Sequence, residues 1–474
     1  MQIAKNFILT SLLFSSCSLF SASVVAAELP PIVAAAMQRS AIAPSAMATF
    51  VQAVDASTPL LTINDTVGMN PASTMKLVTT AAALELLGPT YKWKTRAYFT
   101  GKQVGDVLHG DLIIKGGGDP SLVTEDLWRF LRKIRAAGIR KIRGNLILDR
   151  SMFSDTNFDA ALFDGEPLKP YNAGPDALLL NYHVLAFHFL PRADKKRVEI
   201  TIDPPIADFP VTPPQLGNGD CGDWHAKSGL TLGVRSVQFN GTLPLSCGEK
   251  TWYLHQYQMS HVDYFGAVFR QLWHDVGGSF SGETLNGLTP LDAHPVTEWE
   301  SPPLSEVIRD INKFSNNVMA RQVLLTIGAE LSGSPVTPER GAAVIKAWLA
   351  EKGINGQQLM IENGSGLSRS SRVSVDTMGS MLVAAFRSPL MPELISSLPL
   401  VGYDGTMRKR LRTEDVSGHA HIKTGSLEGV RAIAGYVLAA SGRRYAIACI
   451  INDPNAGAAR AVHDALLQWL YENG

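Results

Sequence analysis

Apolar and polar positions alternate in three different textures along this chain. Pro31 to Ile42 has the spacing of a short helix, and Ala48 to Val54 with Leu60 to Ile63 reads as two strands around the turn Asp55-Ala56-Ser57-Thr58. Asn70-Pro71 then starts, and Gly88-Pro89 stops, a helix of about four turns. Its apolar residues run nearly all round, which predicts burial between layers.

From residue 96 to 290 the texture is of strands punctuated by Gly and Pro, such as Asp111 to Lys115 and Gly144 to Asp149. Only Glu125 to Ala137 and Val262 to Val276 read as helices there. Helical spacing returns in Leu304 to Ile311, Asn316 to Leu331, Glu339 to Lys352, and Val375 to Phe386 behind the cap residue Ser374. Strands Val430 to Ala440 and Arg444 to Ile451 follow, and Ala458 to Leu470 closes the chain as an amphipathic helix. An antiparallel sheet built from the strands of both chain ends, with helices packed on it, would tie the two halves together. The expected fold is α/β of the α+β kind. Residues 28–95 and 291–474 form one domain, and 96–290 is a β-rich insertion of one or two subdomains.

Composition narrows the classes. With 474 residues the chain exceeds one ordinary core. Lys plus Arg balance Asp plus Glu at 43 each, so no overall field draws nucleic acid or an anionic membrane. The first 27 residues pair a cationic start at Lys5 with an apolar run and small residues, the pattern of a secretory signal peptide cleaved near Ala27. No stretch reaches the ~20 continuous apolar residues of a transmembrane anchor. Export implies an extracytoplasmic, periplasmic location, where Cys221 and Cys247 are disulfide candidates worth ~3 kcal/mol in the chain-entropy model. Cys449 reads as a buried small apolar residue. His183 with His188, and His419 with His421, lack the spacing and acidic partner of a zinc site, so neither metal nor cofactor is expected.

Ser73 and Lys76 form a Ser-x-x-Lys pair, a pattern that chance supplies about once in such a chain. Its place gives it meaning. Three residues put Lys76 on the same helix face as Ser73, and burial beside a second cation can lower the amine from ~10.4 until it serves as a base. Two further triplets follow in order: Ser315-Asn316-Asn317 at the head of a predicted helix, and Lys423-Thr424-Gly425-Ser426 on a strand. The first offers a hydroxyl and an amide, the second a cation, a hydroxyl and a small residue. Lys227-Ser228-Gly229 also fits the last pattern, but it precedes Ser315 and lies in the insertion.

Together these triplets resemble the set shared by penicillin-binding proteins and serine β-lactamases. The gap of 315 − 73 = 242 residues, filled by a β-rich insert, is similar to that of the class C low-molecular-mass penicillin-binding proteins, the D-alanyl-D-alanine carboxypeptidase/endopeptidases. Gly116 to Leu122, Asn363 to Arg369 and Gly402 to Met407 resemble that family too, although Asn363 and Glu428 stand where Asp and Gln are common there. The resemblance implies that Ser73 is the nucleophile and Lys76 its base, with Ser315 and Asn317 assisting. Lys423, Thr424 and Ser426 would hold the substrate carboxylate, and the N–H groups of Ser73 and Ser426 would form the oxyanion hole. It further implies that Asp149, Phe153 and Arg369 bind the diaminopimelate side chain of peptidoglycan stem peptides, and that β-lactams acylate Ser73. A β-lactamase would need a Glu-x-x-Leu-Asn segment after Ser315, and Glu283-Thr-Leu-Asn286 is misplaced for it.

Overall fold

The computed structural model describes residues 28–155 and 158–474, so the expected signal peptide lies outside the described residues. At the centre stands an antiparallel sheet in the order Leu61–Ile63, Met47–Ala53, Arg444–Asn452, Val430–Leu438, Ala420–Leu427. Strands from the two chain ends thus lie side by side, with Phe50 opposite Ala448.

Every residue of Met47–Ala53 is buried, because helices cover both faces of the sheet. The period of two sends Val51, Ile433 and Ile447 to the side of helices Pro31–Arg39 and Arg460–Asn473. Phe50, Ala434 and Ala448 point the other way, toward helices Met75–Leu87 and Val375–Arg387. A small residue on the covering helix makes room for the large Phe50 of that face. A Cβ at Gly379 would lie 2.0 Å from Cδ1 of Phe50.

Between Trp93 and Ser301 the chain leaves this body and builds further small sheets. One runs Thr284–Asn286, Leu146–Asp149, Leu112–Lys115, Lys94–Phe99, Thr297–Glu300. Their side chains share a core that reaches from Ala97 to Trp273 and includes helices Thr124–Ala136 and His261–Asp275. Cys221 and Cys247 are joined by a disulfide within this region. Among the described residues no helix is long and apolar enough to cross a membrane.

Helix Asn317–Ser332 fastens the two regions together. Gln322 Nε2 donates to the carbonyls of Asp176 at 2.8 Å and Gly118 at 3.2 Å, and its Oε1 accepts from the Asp176 N–H at 3.0 Å. The Gly116–Gly118 run is a close crossing of backbones, since a Cβ at Gly116 would lie 2.1 Å from the Ala177 carbonyl oxygen. Lys227 and Ser228 sit in the short helix Trp224–Ser228, where Lys227 pairs with Asp220 at 2.9 Å.

Candidate active site

The helix carrying Lys76 begins one step later than its start signals suggest. Asn70 and Pro71 lead into a tight turn, Ala72–Thr74, and the α-helix proper is Met75–Leu87. Ala72 has φ of 44°, a conformation costly for a residue with a Cβ. The surroundings hold it there. Asn70 Oδ1 accepts from the Ala72 N–H at 2.9 Å, and the side chain of Asn452 bonds both backbone groups of Asn70 at 2.9 and 3.0 Å.

Lys76 is fully buried, and Nζ lies 3.1 Å from Ser73 Oγ, 2.6 Å from Asn317 Oδ1 and 2.6 Å from the Ser365 carbonyl oxygen. Burial, reinforced by the positive charges of Lys423 and Arg321, holds its pKa well below the ordinary ammonium value. A neutral amine has two N–H groups and one lone pair. The amide of Asn317 and the carbonyl of Ser365 can take both hydrogens, which turns the lone pair toward the Ser73 hydroxyl.

Ser315 ends helix Leu304–Phe314 in the left-handed region with φ of 60°, and Asn316 caps the next helix by accepting from the Met319 N–H. This turn places Ser315 Oγ 2.9 Å from Nζ of Lys423. Lys423 is itself fully buried, which brings its pKa down to about 7. The three triplets therefore meet around one point, with Lys76 and Lys423 on either side. Strand Ala420–Leu427 lies at the edge of the sheet, with Thr424 half-buried and Ser426 exposed.

Gly425 has a task other than making room for substrate. A Cβ there would lie 2.6 Å from the Pro71 carbonyl oxygen and 3.0 Å from the Ser73 nitrogen. Its absence lets the strand press on the Ser73 turn. Beside it, Thr424 Oγ1 bonds Thr406 Oγ1 at 2.8 Å. Asp404, in the same Gly402–Met407 segment, accepts from Lys313 Nζ at 2.5 Å, so one loop joins the Ser315 turn to the Lys423 strand.

Of the three residues expected to bind a diaminopimelate side chain, only Arg369 is open to solvent. Asp149 is 1% exposed; its Oδ1 accepts from the N–H and hydroxyl of Ser151, and its Oδ2 from the Thr289 N–H, with Lys115 at 3.6 Å. Three hydrogen bonds thus hold the carboxylate, and Lys115 stands beyond hydrogen-bond distance of it. Phe153 is buried against Ala177, Leu325 and Val336. Arg369 instead meets Glu428 at 3.6 Å and the ring of Phe163 at 4.9 Å. Phe163 is absent from the expected set, and Glu428 entered it only as a departure from the family pattern.

Two other contributors had no clear mark in the sequence. Ser365 acts through its carbonyl, which no side-chain motif reports, although Gly364 and Gly366 at φ of 72° and 75° flank it. Arg321 is one turn beyond Asn317 and buried, donating to the Ala173 carbonyl at 2.6 Å. The spacing of four was a usable signal.

A family model described as the D-Ala-D-Ala carboxypeptidase 3 (S13) family matches residues 31–473. The chain belongs to that family. A D-alanyl-D-alanine carboxypeptidase of Actinomadura sp. (strain R39) is 30% identical over 431 residues, covering 85% of this chain and 77% of the relative. The D-alanyl-D-alanine carboxypeptidase DacB of Haemophilus influenzae is 27% identical over 400 residues, covering 83% and 82%. The fold is similar to the crystal structure of penicillin binding protein 4 from Haemophilus influenzae, with a TM-score of 0.77 at 23% identity, covering 93% of this chain and 99% of that one. The same protein complexed with a β-lactam gives 0.74. Family membership makes this chain a serine-type D-Ala-D-Ala carboxypeptidase.

Proposed function

We propose that the protein is a DD-peptidase of peptidoglycan that works through an acyl ester on Ser73. The observation that carries this reading is the setting of Lys76, a buried amine whose two carbonyl partners leave its lone pair for the Ser73 hydroxyl. Ser73 Oγ attacks the carbonyl between the two terminal D-alanines while Lys76 takes its proton. The tetrahedral oxyanion rests on the N–H groups of Ser73 and Ser426, the pair that Gly425 brings together. The proton held by Lys76 passes by way of the Ser315 hydroxyl, which takes it up as it gives its own to the leaving amine, the C–N bond breaks, and D-alanine departs. Water then hydrolyses the ester.

Asn317 orients Lys76 and binds the peptide, which lies along the open edge of strand Ala420–Leu427 as an added strand. Lys423, Thr424 and Ser426 hold the terminal carboxylate. Arg369, with Phe163 and Glu428, faces the diaminopimelate side chain, and cross-linked stem peptides are cut by the same chemistry as an endopeptidase. Asp149 and Phe153 support that region from within. β-Lactams acylate Ser73 as mimics of the substrate. We further infer a signal peptide over 1–27, a periplasmic location, a catalytic domain of 28–95 with 291–474, and an insertion of 96–290.

Release of D-alanine from a diaminopimelate-containing pentapeptide tests the reading. Wild type is expected to release it and Ser73→Ala to release none; a silent wild type, or a mutant that keeps the rate, refutes it. Mass spectrometry after penicillin treatment should show a lasting adduct on Ser73, whereas rapid penicillin turnover would make the protein a β-lactamase.

A further inference from the structure

A cavity of about 1020 Å³ lies apart from Ser73. It opens within and beside the insert, with Arg150, Asp155, Asp176, His183, His255 and His261 in its wall. Its volume is at the upper end of the range for small-molecule sites, ~300–1,000 Å³.

Its charge says what it can hold. Arg150 is ion-paired with Asp176. His183 is 3% exposed, and among the described residues neither ring nitrogen has a hydrogen bond of good geometry, the Met259 backbone being its nearest polar neighbour, a state that is costly for buried polar atoms unless a ligand or water meets them. Its ring lies 4.3 Å from that of His261 and 5.2 Å from that of His255. Burial lowers all three imidazoles below their ordinary value, His255 to about 4, so near neutral pH they are uncharged. A neutral imidazole presents one donor and one acceptor. The remaining carboxylates in the wall, Asp155 and Asp159, disfavour an anion. Among the described residues no three metal-binding side chains converge. At the mouth, Phe158, Tyr257 and Leu288 expose apolar surface, at 45%, 41% and 73%.

An uncharged ligand whose hydroxyls both donate and accept, and whose C–H faces can lie on aromatic rings, fits this wall. The cavity is also near the catalytic groups. From Phe158 on its rim the chain reaches Phe163 in five steps, at most ~18 Å, and Phe163 rests on Arg369. Arg369 belongs to the segment whose Ser365 carbonyl binds Lys76.

We propose that this cavity binds a saccharide, the glycan end of the substrate whose peptide end reaches Ser73. The proposal rests on the peptidoglycan reading above. The test is titration of the full chain carrying Ser73→Ala with a peptide-free tetramer of N-acetylglucosamine, followed by calorimetry. Saturable binding is expected, weakened about tenfold by Tyr257→Ala and by Leu288→Asp, two exposed positions. In the active enzyme, each variant should raise KM for a glycan-linked pentapeptide about tenfold more than for the free pentapeptide. No saturable binding, equal effects on the two substrates, or displacement of the sugar by inorganic phosphate or zinc ion overturns the proposal. Failure of the peptidase reading would look different: sugar binding persists while wild type releases no D-alanine.

Discussion

Gly425 presses against Ser73 so closely that a Cβ on the first would lie 3.0 Å from the nitrogen of the second, and 2.6 Å from the carbonyl oxygen of Pro71. Both contacts are with backbone, which cannot step aside like a flexible side chain. Gly425→Ala should therefore part the strand from the Ser73 turn and spoil the oxyanion site. The expected loss in the acylation rate by a fluorescent penicillin is about 100-fold, the cost of one oxyanion donor. Circular dichroism should stay unchanged, and a variant that acylates normally would show that the two N–H groups do not act as a pair.

Two buried lysines set the expected pH profile. Lys76 must be neutral to accept a proton, and its lowered pKa makes this possible below the usual ammonium range. In the proposed mechanism Lys423 must be charged to attract a carboxylate, and burial makes it lose its proton as pH rises through about 7. The second-order acylation constant, which reports the free enzyme, should climb from acid pH and fall above that point. Lys423→Arg, charged at every accessible pH, should remove the alkaline fall while lowering the maximum. A flat profile in wild type would contradict these roles.

Asp404 holds Lys313, and Lys313 precedes the Ser315 turn by two residues. Removing the carboxylate strands a nearly buried ammonium, but Asp404 is itself 40% exposed, which moderates the cost. Asp404→Ala should lower unfolding free energy by about 2 kcal/mol and slow acylation through misplacement of Ser315 and Thr424. Although burial raises the Asp404 pKa, the bond from Lys313 more than offsets it, so the folded value lies below the unfolded one. Its stabilising contribution is then complete above the unfolded value of ~3.9 and is lost as pH falls through the folded value. Urea titrations of wild type and variant should converge at low pH.

On the proposed reading Phe163 serves recognition, while Phe153, which also lines the cavity beside the insert, serves chiefly as support. Phe163 lies on Arg369, so Phe163→Ala should raise KM for a diaminopimelate peptide about tenfold, as should Arg369→Ala, with little change in penicillin acylation. Phe153 is buried between the insert and helix Asn317–Ser332, so Phe153→Ala should instead cost about 3–5 kcal/mol of stability. Thermal unfolding beside peptide kinetics distinguishes the two. Equal KM effects without loss of stability would return Phe153 to the binding site.

The chemical triplets were legible because each is a local pattern on an element the sequence also marks, as Ser73 and Lys76 share one helix face. The central strands were legible as continuous apolar runs, since the sheet is covered on both sides. Most strands of the insert were not, because pieces such as Lys141–Ile142 or Gln215–Gly217 are shorter than any period can show. Helix Met391–Ser397 escaped for the same reason. Within the site, Ser365 was invisible because a backbone carbonyl has no residue signature. Phe163 carries no sequence mark, because its partner Arg369 is 206 positions away, 369 − 163, whereas Phe153 lies in the Asp-Arg-Ser-Met-Phe segment that resembles the family.

The pairing of Met47–Ala53 with Arg444–Asn452 has a bearing on the enzyme's life before it is complete. Ser73 is made early, whereas Lys423 and the strand that fixes Asn70 are made near the end. A nascent or C-terminally clipped chain thus holds a serine with no oxyanion partner and no second lysine beside Lys76. On the proposed mechanism the enzyme would become active only once this pairing has formed, because the strands that complete the Ser73 site come from both parts of the sequence.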